Sequence, residues 1–80
     1  MKNLKQYVAS SNARAALFGD TPLDLNNPTD REVIAMMIEG DLSPENLTMD
    51  GELSTNEVSH RLKFFTACEK ELAEFIYTLA

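Results

Sequence analysis

The residues of this chain best placed to do chemistry are the oxygen donors crowded into Asn46–Glu57, NLTMDGELSTNE. Laid on the 12-residue calcium loop, Asp50 takes the fifth position, Gly51 the sharply turning sixth, Ser54 the ninth and Glu57 the twelfth, where a helix should leave. The ligand set would be Asn46, Asp50, Glu52, Ser54 and Glu57. Three features oppose it: Asn46 stands where the loop wants aspartate, Thr48 occupies the third position, and Pro44 lies where an entering helix should run. A turn followed by a helix cap uses the same residues. A calcium-responsive switch is therefore a secondary reading, and no metal or cofactor is assigned.

Nucleophilic chemistry has less to stand on. His60 and Cys68 are eight residues apart, about 12 Å along an ideal helix, and they diverge around it, so they cannot form a thiol–imidazole pair. Cys68 is expected in the core and His60 in solvent. Acids are abundant, but none stands beside a glycine-rich loop, a histidine pair or a nucleophile motif. The expectation is a protein without catalytic residues.

The acids matter more as a field. Residues 1–18 carry Lys2, Lys5 and Arg14 and no acid, whereas residues 19–57 carry ten acids against Arg31 alone. The formal net charge is −6. Direct nucleic-acid binding needs a basic footprint that this distribution lacks. A basic protein surface is the better-matched partner, met by Asp41, Glu45, Asp50 and Glu52. The alternative is that the acids only keep a small domain soluble.

The elements that hold these residues read as helices. At 80 residues, with 44% hydrophobic composition, 3 Gly and 3 Pro, the chain has room for one folded domain, residues 1–80. No run reaches the roughly 20 apolar residues of a membrane span, and MKNLKQYVASSNARAAL lacks a signal-peptide core. A soluble, cytoplasmic protein is expected. Cys68 is the single cysteine, which excludes an internal disulfide and suits a reducing compartment.

The first helix is expected over about 3–18, with Leu4, Val8, Ser11, Ala15 and Phe18 on one face and Gly19 as its stop. The polar seam Ser10-Ser11-Asn12 could interrupt it. A proline- and asparagine-rich connection follows. Thr29-Asp-Arg-Glu32 then matches a capping box, opening a second helix over 29–39 that ends at Gly40. Because Val33 to Ile38 are consecutively apolar, this helix should be the most buried element. Ser43-Pro44 starts a single turn over 44–47, and Asp50-Gly51 marks a tight turn. Ser54-Thr-Asn-Glu57 is a second capping box, opening a long helix over 55–79.

That last stretch, Ser54 to Ala80, fits a heptad frame: Val58, Leu62, Phe65, Glu69, Leu72, Ile76 and Leu79. Its apolar stripe is broadened by Phe64, Cys68 and Phe75, more than one helix of a small bundle needs. Part should pack on the N-terminal helices and the flank at Phe64, Cys68 and Phe75 should meet a second chain. Glu69 is expected at the edge of that interface or paired with a cation such as Arg61 or Lys70. The fold class is all-α, a three-helix domain with one extra helical turn. In size and charge alone it resembles the accessory proteins that phages and mobile elements use to bind host machinery. The resemblance implies a small regulator that acts by binding a protein partner, with inhibition as one outcome of binding. A self-associating module that dimerises through residues 54–80 is the alternative within the same class.

Overall fold

In the computed structural model, which describes residues 1–79, the chain forms four helices and, among the described residues, no strand. They are α1 (Lys2–Ala16), α2 (Pro28–Asp41), α3 (Pro44–Thr48) and α4 (Thr55–Leu79). Ala80, included in the expected 54–80 surface, lies outside the described residues. The all-α expectation holds, with element bounds shifted by a few residues.

α1 runs unbroken through Ser10-Ser11-Asn12. Its buried residues are Leu4, Tyr7 and Val8, spaced to share one helical face. The helix ends in a Schellman arrangement: Gly19, at φ 73°, donates to the Ala16 carbonyl at 3.2 Å, and Asp20 donates to that of Ala15 at 3.1 Å. Only glycine adopts this left-handed position without a Cβ penalty. The end therefore comes two residues earlier than expected. Phe18 is 82% exposed and leaves the packed face.

Asn12 explains why the polar seam does not break the helix. Its side-chain amide donates to the Leu23 carbonyl at 3.0 Å, and its side-chain oxygen accepts from the Leu23 N–H at 2.8 Å. One side chain thus ties the connection after α1 back onto that helix.

α2 begins before the expected capping box. Asn27 is the N-cap, its oxygen accepting from the Thr29 and Asp30 backbones at 2.9 and 3.2 Å, with Pro28 at the first helical position. Thr29 is consequently inside the first turn and cannot act as the cap. Gly40 does not stop the helix, which continues to Asp41. Nor is α2 the most buried element. Ile34 and Ile38 are inside, whereas Val33 and Met36 are 40% and 71% exposed. The apolar run covers every side of α2, but so short a chain supplies neighbours for one side only.

α3 is one residue longer than expected. The Ser43 hydroxyl donates back to the Gly40 carbonyl at 2.8 Å instead of capping it. Met49, Asp50 and Gly51 follow with φ of 49°, 57° and 86°, three consecutive left-handed residues that turn the chain toward α4. The capping box there forms as expected: the Ser54 N–H donates to Glu57 Oε1 at 3.1 Å, and the Glu57 N–H donates to Ser54 Oγ at 3.3 Å.

α4 packs against each of the other three helices. Its 25 residues, at about 1.5 Å rise each, match the 37 Å longest dimension of the molecule. The shortest dimension, 18 Å, is about two helix diameters. Phe65, Cys68 and Leu72 face Leu4, Tyr7, Val8, Ile34 and Ile38 in the core, with Leu23, Leu25, Met37, Leu42, Leu47 and Phe64 packed around it. Tyr7 meets Phe65 edge-on, ring centroids 6.0 Å apart. The heptad frame is split by this packing. Phe65 and Leu72 point inward, whereas Leu62, Ile76 and Leu79 remain 46%, 44% and 53% exposed and Glu69 is exposed beside them.

The one-sided burial of α2 sets an expected outcome. Ile38→Ala should lower the unfolding free energy by about 2–4 kcal/mol, and Met36→Ala by less than about 0.5 kcal/mol. Urea unfolding of the two variants measures both, and equal losses would mean that α2 is covered on both sides.

Candidate interaction surface

The turns that bracket α3 place the acids singled out in the sequence. Asp41 ends α2, Glu45 lies in the first turn of α3, and Asp50 and Glu52 lie on the left-handed turn and just beyond it. All four line one surface depression of about 520 Å³, together with Arg14 and Arg61. The convergence is tertiary: it needs the α2–α3 bend and the left-handed residues 49–51 together.

Arg61 fixes this region to the long helix. Its Nε donates to the Leu47 carbonyl at 3.1 Å and its terminal nitrogen to that of Asn46 at 3.0 Å. These carbonyls lie at the C-terminal end of α3, where a cation is favoured by the helix dipole. The guanidinium also lies 5.1 Å from the Phe65 ring centroid, over its face. Arg61 is thereby committed to α3 and is not the partner of Glu69. Among the described residues the one ion pair is that of the Met1 amine with Glu71, at 3.7 Å.

Asp41 has a structural task beside any surface role. Its carboxylate accepts from the Tyr7 hydroxyl at 2.5 Å, joining α2 to α1. Burial, and after it the hydrogen bond to Asp41, raises the Tyr7 phenol well above its ordinary value. Glu71 does comparable work at the start of α1. It accepts from the Asn3 amide at 2.9 Å and from the Leu4 N–H at 3.1 Å. It thus satisfies a free helix-start donor where Met1 supplies no cap. The Asn3 bond, then that from Leu4, holds the Glu71 carboxyl below its ordinary range.

The expected flank Phe64, Cys68 and Phe75 is not one open surface. Cys68 is 0% exposed, and Phe64 is half-buried against Tyr7 and Phe65 at 6.5 and 5.7 Å between centroids. Phe75 is half-buried. Burial first, then the nearby Glu71 and Asp41 charges, pushes the Cys68 thiol up to about 11. His60 is exposed, as its position on the helix implied.

The residues of the proposed calcium loop have other engagements. Asn46 sits inside α3 and its amide donates to the Gly40 carbonyl at 2.8 Å. Ser54 and Glu57 are bonded to each other, and the Ser54 backbone N–H, then its side chain, keeps the Glu57 carboxyl below its ordinary range. Among the described residues no group of three or more His, Cys, Asp or Glu is arranged to hold a metal ion.

A second depression lies between α2 and α4. Ile38 and Leu72 form its floor, Ala35, Ala73 and Ile76 its walls, and Glu39 and Glu69 its rim, around about 300 Å³. Reading the sequence alone missed it, because the helical spacing of each wall is visible but the pairing of the walls is not. No described helix is long and apolar enough to cross a membrane. No protein-family model, curated protein or solved structure matches the chain.

The titrating groups give stability a definite pH dependence. Glu57 and Glu71 are held below their ordinary 4.5, so their contribution is present above that pH and is lost as the pH falls through their folded-state values. Cys68 is raised from 9.0 to about 11, so its contribution is present below pH 9 and is lost on rising to about 11. Urea unfolding across pH should show Glu71→Gln flattening the acid limb and Cys68→Ala flattening the start of the alkaline limb, above pH 9, with the raised Tyr7 phenol still contributing above 10. At pH 8 the native thiol should resist Ellman's reagent and react at once in urea. Prompt native labelling would place Cys68 outside the core.

Proposed function

We propose that the chain is a small protein-binding regulator that meets a basic partner surface through Asp41, Glu45, Asp50 and Glu52. The observation that carries this reading is the gathering of these four acids around one depression, on a chain with surface to spare for a partner. The folded chain exposes 5695 Å², whereas a monomer of 8.9 kDa typically exposes about 4,800 Å². The surplus, about 900 Å², is close to what one partner buries in a standard protein–protein interface, about 800 Å². A radius of gyration of 13.2 Å, against about 12 Å for a typical domain of this length, has the same origin in the flat shape.

The acidic depression supplies the chemistry of recognition. Complementary charge steers encounter and fixes orientation, and a patch of this sign discriminates against nucleic acid and against other acidic proteins. Binding alone would suffice to obstruct or redirect the partner, as accessory proteins of phages and mobile elements do with host machinery. A cytoplasmic setting suits the free, buried Cys68.

The test must leave Asp41 in place, since it holds α2 to α1 through Tyr7. Asp50, at φ 57°, is better exchanged for asparagine, which tolerates the left-handed region. The variant Glu45→Lys, Asp50→Asn, Glu52→Lys removes the surface charge while sparing both constraints. Immobilised wild-type protein should retain a basic protein from a lysate of the source organism, and the triple variant should lose it. Equal retention by both proteins would reject the acidic surface.

A further inference from the structure

The depression between α2 and α4 is a trough with a particular chemical pattern. Its floor is the buried pair Ile38 and Leu72, at 1% and 4% exposure. Its walls are built at helical spacing, with Ala35, Ile38 and Glu39 on α2 and Glu69, Leu72, Ala73 and Ile76 on α4. The small residues Ala35 and Ala73 keep it open. Ala35, Glu39, Glu69, Ala73 and Ile76 are all exposed. No basic side chain lines the trough, and neither rim glutamate is in the ion pair found among the described residues.

We propose that this trough receives an amphipathic helix of a partner protein, with an apolar stripe on Ile38, Leu72 and Ile76 and lysine or arginine on both flanks, against Glu39 and Glu69. The inference rests on the reading of the chain as a protein-binding module and adds a second contact, on a surface that shares no residue with the acidic depression. The fit is one of shape and charge together. A helix presents apolar side chains at i, i+3, i+4 and i+7, which suits an open trough between two helices better than a small molecule's enclosed pocket. Cationic flanks neutralise the rims, whereas an anionic or neutral helix would leave two carboxylates partly desolvated without partners.

A second copy of the chain fits less well. In a two-fold symmetric pair the same patch meets itself, so Glu39 and Glu69 of both copies would gather round one seam with no base among the lining residues. The net charge of −6 on each copy adds repulsion.

The probe is a helical peptide of leucine and lysine, with leucines at i, i+3, i+4 and i+7, titrated into full-length protein carrying labelled alanine, isoleucine and leucine methyls. Saturable shifts confined to Ala35, Ala73 and Ile76, with their floor neighbours, are expected. Ile76→Glu should weaken binding about a hundredfold. The pair Glu39→Lys, Glu69→Lys should weaken it about tenfold and should gain binding to the leucine–glutamate version of the peptide. That gain cannot come from an unfolded variant. Shifts centred on residues 41–52 with a silent trough would overturn this inference while leaving the acidic-surface reading intact. Absence of any shift up to about 1 mM peptide, or trough shifts that appear on raising the concentration of the protein alone, would also overturn it.

Discussion

Phe65, Cys68 and Leu72 are the buried residues of α4, and they are met from α1 by Leu4, Tyr7 and Val8 and from α2 by Ile34 and Ile38. The packing of α1 and α2 follows from sharing that face, while α3 is held beside it by Arg61. Because α1 and α2 both lie on it, the molecule is two helices thick, and the outer sides of α2 and α4 have nothing to cover them. The surplus surface, the trough between α2 and α4 and the exposure of Met36 and Ile76 are three consequences of the same shortage of chain.

A core of eight buried residues leaves only a modest margin over the entropy of ordering the chain. Directed polar contacts supplement it. Glu71 holds the start of α1, Asn12 the connection after it, Asp41 joins α2 to α1, and Arg61 grips the carbonyl end of α3. Each links elements far apart in sequence, or an element to a connection, and each satisfies backbone or side-chain groups that would otherwise face a half-buried environment. No buried side-chain polar atom is left without a partner among the described residues. The same logic gives Asp41 two occupations, since it serves the fold through Tyr7 while lying in the acidic depression.

What was legible in the sequence was local. The Ser54–Glu57 box and Gly19 act within a few residues of themselves, and they marked the start of α4 and the turn after α1 because nothing distant has to agree. The long helix over 55–79 and the one turn after Pro44 were visible for the same reason. The cap of α2 lies two residues before the expected Thr29 because two polar residues compete there, and Asn27 followed by Pro28 satisfies the free N–H groups first. The heptad on α4 names only half of its packed face. The buried set Phe65, Cys68 and Leu72 shows that the packed face extends from the Phe65–Leu72 line toward Cys68, which leaves the parallel line Leu62, Glu69 and Ile76 on its outer flank. The burial of α2 and the meeting of four acids around α3 depend on neighbours that no local pattern encodes.

The small interior also has a consequence for how such a protein can change over generations. Substitutions on open surface usually alter stability by no more than about 0.5 kcal/mol, and in this chain most positions are surface. The eight core residues, a handful of polar fasteners and the glycines held at positive φ are the tightly constrained positions. A lineage carrying this fold can therefore redraw its outward face, in charge or in shape, without solving its interior again. A thin molecule gives up thermodynamic reserve and gains freedom to vary.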